Sequence, residues 1–131
     1  FLQVIFLLLQ YSTKQAKNML PEEGTPSDKL KNVLDYVEIH YAKTISVEEL
    51  AKICCFSEYH FMRFFKKHMN MTCVEYVNNV RLEKAVELFE QGNTSILEVS
   101  LSVGFHNLSY FHRAFKNKYG MTPRSFIKEL K

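Results

Sequence analysis

The chain is predicted to be all-α, and three observations predict it. A segment is repeated: residues 56–72 (FSEYHFMRFFKKHMNMT) and 105–122 (FHNLSYFHRAFKNKYGMT) share an opening Phe, a central Arg, a Phe-Lys pair and a closing Met-Thr. One extra residue before Phe111 keeps the second copy in register. Apolar residues recur at spacings of three and four from about residue 28 onward, the period of a helix buried on one side. Ser, Thr and Asn stand where helix caps belong, and no alternating stretch reads as a strand. The architecture expected is about seven helices: two helix-turn-helix subdomains joined by a long connecting helix, preceded by an extra N-terminal helix.

Residues 1–19 read as that extra helix, apolar around its first two turns in FLQVIFLLL and polar through 12–18. A helix apolar on all sides needs covering. The apolar run lacks an initiator Met and a positive leader and is too short to span a bilayer, so a piece of a longer protein is expected, and no membrane partner. Pro21, Gly24 and Pro26 then mark residues 20–27 as a linker. Ser27 or Asp28 can cap the next helix, whose buried face is Leu30, Val33, Leu34, Val37 and Tyr41. Ser46 with Glu49 forms a capping box for a short helix carrying Val47, Leu50, Ala51 and Cys54 inward.

Ser57 can cap the helix over 58–68, with Phe61, Phe64 and Phe65 facing the core. Thr72 with Glu75 opens the connecting helix, 72–89, whose inward stripe is read as Tyr76, Val77, Val80, Ala85 and Leu88. Gly92 and Asn93 stop it. Ser95 opens the second unit, 95–119, with Ile96, Val99 and Val103 inward, a turn at Gly104 and Asn107 as the next cap. A last short helix follows Pro123. Phe56, Phe61, Phe65, Phe105, Phe111 and Phe115 are expected in the core, because they recur at equivalent positions of both copies.

The composition is globular, with 47% hydrophobic and 24% charged residues in 131. The net charge of +3 is uneven: residues 1–41 hold 4 basic and 5 acidic side chains, residues 42–131 hold 13 and 9. The basic excess lies with the repeats, which is compatible with phosphate binding without establishing it. Cys54, Cys55 and Cys73 form no disulfide framework and no spaced Cys/His metal set, so a reducing cytoplasm and no metal or other cofactor are expected. No Ser-His-Asp grouping, phosphate-cradling Gly loop or carboxylate pair suggests an enzyme.

Paired two-helix units suit double-stranded DNA. A helix fits the major groove, where all four base-pair orientations are distinguishable, and the first helix of each unit braces the second. A connecting helix would set the two readers at successive grooves. Arg63 and Arg113 occupy the same position in the two copies and are candidates for bidentate contact with guanine; a phosphate or a surface carboxylate is the alternative. Tyr59 and Met62 share the outward face with Arg63, and Leu108, Ser109 and His112 share it with Arg113. These are candidate base contacts, with plain surface or partial core as the alternative. Lys66, Lys67, Lys116 and Lys118 are candidate phosphate contacts or solvated charges.

At these residues the chain resembles the DNA-binding domain of AraC/XylS-type bacterial transcription regulators. The similarity covers about residues 28–131 and is densest in SILEVSLSVGFHNLSYFHRAFKNKYGMTPRSFI. VRLEKAVELF resembles the connecting helix of that family, and ISVEELAKICCFSEYHFMRFFKK its first reading unit. The resemblance implies two subdomains bridged by a helix, asymmetric DNA sites and activation through RNA polymerase. It places Tyr59, Met62 and Arg63, then Leu108, Ser109, His112 and Arg113, where recognition helices meet bases. It also implies that residues 1–19 end a sensing and dimerisation domain, so a homodimer through that domain is expected. Cys55 and Asn70 stand where the family has Gly, Ser100 replaces a small Ala, and Leu108 replaces a polar residue. The first unit is therefore expected to be the less rigid or less specific half. A helical interaction module without specific DNA binding is the competing reading, and a DNA-repair methyl acceptor a more distant one.

Overall fold

The computed structural model describes residues 24–131; the expected helix over 1–19 and the start of the linker lie outside the described residues. Among the described residues seven helices follow one another: α1 Pro26–His40, α2 Val47–Cys54, α3 Glu58–Met69, α4 Cys73–Glu90, α5 Ile96–Ser102, α6 Leu108–Tyr119 and α7 Pro123–Glu129. They form two helix-turn-helix subdomains, α2–α3 and α5–α6, with α4 as the connecting helix. Two compact units divide the described residues, one including 24–39 and Ile45–Val74, the other His40–Thr44 and Glu75–Lys131.

Helix α1 begins earlier than expected. Thr25 Oγ1 accepts from the Asp28 N–H at 3.2 Å, and the Asp28 carboxylate accepts from the Thr25 N–H at 3.3 Å. This reciprocal cap, with Pro26 at the first helical position, displaces Ser27 and Asp28 as caps because proline supplies a helical φ and needs no N–H partner. In the first unit Leu30, Val33, Leu34 and Val37 of α1, Leu50, Ala51 and Cys54 of α2, and Phe61, Phe64, Phe65 and Met69 of α3 are buried. Ser46 and Glu49 form the expected capping box of α2, and Tyr36 donates its hydroxyl to Glu49 at 2.8 Å. The Lys29 ammonium donates to the Cys54 carbonyl at 2.7 Å, satisfying a C-terminal acceptor of α2. Phe56 is a correction: it is half-buried, stacked on His60 with ring centroids 4.0 Å apart. The ring sits at the edge of the turn, ahead of the helix that carries the buried phenylalanines.

The second core gathers Leu82, Ala85 and Phe89 of α4, Val99 and Val103, Phe105 of the turn, and Phe111 and Phe115 of α6, with Tyr41, Phe126 and Ile127 against it. Tyr41 is thus not on the buried face of α1, which ends at His40; it is half-buried in the second unit. Helix α4 also differs from the single stripe expected. It buries Cys73, Tyr76, Val77 and Val80, then Leu82, Ala85 and Phe89, while Leu88 is only half-buried. At about 100° per residue the two sets lie on roughly opposite sides of the helix. A helix whose buried face changes sides partway has no single apolar stripe to read.

The duplication extends to individual backbone hydrogen bonds. The Cys55 N–H donates to Lys52 O and the Phe56 N–H to Ala51 O; the Gly104 N–H donates to Leu101 O and the Phe105 N–H to Ser100 O. Each turn closes its short helix with the same pair of bonds, the second reaching back five residues. The αL position they require falls on Cys55 (φ 60°) in one copy, whereas Gly104 has φ 107° in the other. The later helix ends match as well: Asn70 (φ 59°) donates its N–H to Lys66 O, and Gly120 (φ 76°) to Lys116 O. Ser100, at the position of Ala51, is buried and donates its hydroxyl to Leu97 O at 2.8 Å, so its polar atom is satisfied.

Candidate nucleic-acid interface

Each second helix separates its sequence into two faces. In α3, Phe61, Phe64, Phe65 and Met69 are buried, while Tyr59, Met62, Arg63, Lys66 and Lys67 are exposed. Residues 59, 62, 63 and 66 follow the three-four spacing of one helical face. In α6, Phe111 and Phe115 are buried; Leu108, Ser109, Arg113 and Lys116 are exposed, and His112 is half-buried. Both helices have the expected caps: the Ser57 hydroxyl accepts from the His60 N–H at 3.2 Å, and Asn107 Oδ1 from the Tyr110 N–H at 2.9 Å. A fixed N-terminus matters here, because the first turns of such a helix carry the residues that can reach base edges.

The two arginines are held differently. Arg63 Nη1 donates to the Tyr59 hydroxyl at 3.1 Å, and its guanidinium lies 5.6 Å from the centre of that ring. Both residues belong to α3, four positions apart. A shallow groove of about 590 Å³ runs along this helix, lined by Tyr59, His60, Arg63, Phe64, Lys67 and His68. Arg113 lies 5.9 Å from the centre of the Tyr110 ring. Tyr110 in turn accepts a hydrogen bond from Asn78 Nδ2 on α4 at 2.7 Å, and its ring centroid is 6.0 Å from that of Phe105. Tyr110 is 41% exposed beside the arginine, and nothing in the sequence pattern singled it out.

The lysines divide. Lys66, Lys67 and Lys116 are exposed, whereas Lys118 is half-buried with its ammonium 3.8 Å from the Glu83 carboxylate on α4. Behind α6, Arg81 of α4 donates to Tyr41 O at 2.7 Å and Lys43 O at 2.8 Å, and lies 6.0 Å from the Phe105 ring centre. Burial lowers its pKa from the usual guanidinium value. Burial, with Glu83 and Glu90 adding to it, raises the Tyr119 phenol. Neither residue changes charge near neutrality, so these are structural groups. Among the described residues no three His, Cys, Asp or Glu side chains gather as a metal site would require, and no helix is long and apolar enough to cross a membrane.

Comparison with known proteins meets this geometry. Residues 50–129 match the family described as "Helix-turn-helix domain". The uncharacterized HTH-type transcriptional regulator YdeC of Bacillus subtilis is 34% identical over 106 residues, 81% of this chain and 36% of that protein. The bifunctional transcriptional activator/DNA repair enzyme AdaA of the same organism is 35% identical over 105 residues, 80% of this chain and 50% of that protein. The chain thus spans half or less of the length of these relatives. An AraC-type transcriptional regulator from Chromobacterium violaceum shares the fold, with a TM-score of 0.72 at 24% identity over 79% of this chain and 92% of the other. The chain belongs to the helix-turn-helix domain family of DNA-binding transcription regulators, and it shares its fold with AraC-type regulators of known structure.

Proposed function

We propose that the chain binds specific double-stranded DNA sequences by placing α3 and α6 in successive major grooves, and that it acts as a transcription activator in the bacterial cytoplasm. The observation that carries this reading is the equivalence of Arg63 and Arg113. Each lies on the exposed face of its helix, two residues after one buried phenylalanine and two before another. In this reading Tyr59, Met62 and Arg63, with Leu108, Ser109, His112 and Arg113, meet base edges. Lys66, Lys67 and Lys116 meet phosphates, and Lys118 does so only by leaving Glu83. RNA polymerase is the partner for activation, and a homodimer forms through residues 1–19 and the domain they end; the activator named among the relatives supports the sign.

The experiment selects duplexes from a random pool and measures affinity against salt. Specific binding should fall steeply as salt rises, because phosphate contacts release counterions. Arg63→Ala and Arg113→Ala should each lower affinity for the selected duplex about 5- to 150-fold, corresponding to about 1–3 kcal/mol per lost bidentate contact. Affinity for random duplex should change little. An equal loss on both duplexes would reassign the arginines to phosphates.

A further inference from the structure

We infer that Asn78 and Tyr110 are positioning residues for Arg113: a specificity device of the second recognition helix that is seated partly outside that helix, on α4. The inference rests on the reading of Arg113 as a base contact and adds what aims it. A tyrosine on an exposed helix face ordinarily swings about its side-chain torsions. Here the ring is fixed at two points. Its hydroxyl accepts from Asn78 Nδ2 at 2.7 Å, and its ring meets buried Phe105 at 6.0 Å with an interplanar angle of 54°. The Arg113 guanidinium, 5.9 Å from the ring centre, lies against a platform held by the connecting helix and the turn. A guanidinium over an aromatic ring keeps its planar fork oriented while its N–H donors remain available to a partner.

The first copy solves the same problem another way, which argues that the second arrangement is specific. His60 stands at the position of Tyr110 and stacks on Phe56, the counterpart of Phe105, at 4.0 Å. The aromatic partner of Arg63 is instead Tyr59, one position earlier, which rides the same helix. Arg63 therefore moves with α3, whereas Arg113 is referred to α4. Any change in the seating of α6 on α4 would then alter the aim of Arg113 as well as its position.

The test uses the 131-residue chain, the tightest duplex recovered by selection from a random pool, and a scrambled duplex of equal composition. Tyr110→Phe keeps the ring and removes the acceptor of the Asn78 bond; Asn78→Ala removes the donor. Each should reduce the ratio of specific to scrambled affinity by about 3- to 10-fold, the range of one hydrogen bond, with scrambled affinity held and the melting temperature lowered by only a few degrees. The two together should cost no more than either alone. In an Arg113→Ala background, Tyr110→Phe should leave the ratio unchanged. If Tyr110→Phe still lowers it there, or lowers it nowhere, the positioning role is wrong while the base contact stands. A ratio untouched by Arg113→Ala itself would remove the base contact and, with it, the role assigned here to Tyr110 and Asn78.

Discussion

Gly104→Ala isolates the tightest steric demand in the second unit. At φ 107° an L side chain is strained, and a Cβ built there falls 2.7 Å from Tyr41 O and 2.8 Å from Arg81 Nε. The first neighbour is backbone and cannot rotate away; the second is itself bonded to that same carbonyl at 2.7 Å. Backbone strain contributes roughly 1–2 kcal/mol, overpacking about 1–3 kcal/mol, and loss of the Arg81 bond about 1 kcal/mol. The sum, roughly 3–6 kcal/mol, is a large share of the 5–15 kcal/mol or so that holds a typical domain together. Gly92 provides the internal control: its φ is 101°, yet a Cβ there meets nothing within 4 Å. Gly92→Ala should therefore lose only the strain term, about 1–2 kcal/mol. Urea unfolding of both variants measures the difference, expected to be at least about 2 kcal/mol, with Gly104→Ala melting roughly 10 °C or more below the parent. Equal losses for the two variants would refute the steric reasoning, because the close approach at Gly104 would then cost nothing.

Two further outcomes follow from the turns and the buried thiol. Cys55 holds an αL conformation (φ 60°) with an ordinary side chain, so Cys55→Gly should relieve about 1 kcal/mol of strain, offset by roughly 0.5 kcal/mol of chain entropy. Asn70→Gly, at φ 59°, should gain less, because Asn tolerates that region; equal gains in thermal denaturation would count against strain at Cys55. The Cys54 thiol is pushed up from 9.0 to about 11, chiefly by burial, with Lys29 opposing and Cys55 adding to the rise. Its folded pKa lies above the unfolded one. The stability it contributes is therefore complete below about pH 9, declines as pH rises toward 11, and is lost beyond. The maximal loss is about 2–3 kcal/mol at roughly 1.4 kcal/mol per unit. Cys54→Ala should flatten that part of the stability–pH curve, and an unchanged slope would assign it to other groups.

The parts of the fold that sequence made legible are those set by neighbours along the chain. Ser46, Ser57, Ser95 and Asn107 cap where expected because a cap bonds within three residues. Cys55 and Asn70 stand where the resembled family has Gly, and both adopt the left-handed conformation that a glycine position marks. Helix α4 was misread because a stripe was assumed to stay on one side, and Leu82 and Phe89 lie opposite the earlier set. Phe56 matched Phe105 in the repeat, yet it is half-buried where Phe105 is 2% exposed, since equivalent positions need not have equally filled surroundings. The outward faces of α3 and α6 follow from the helical period, except that His112, expected outward, is half-buried. The links Asn78 to Tyr110 and Glu83 to Lys118 do not follow from it, because partners 32 or more residues apart are brought together only by the fold.

The most direct measurement is a footprint of the chain on a selected duplex, made for the parent and for Arg63→Ala and Arg113→Ala. Two protected patches about one helical turn apart are expected, with each substitution relaxing base preference in a different patch. A single short patch, or two substitutions that weaken the same base pairs, would contradict the placement of two readers in neighbouring grooves.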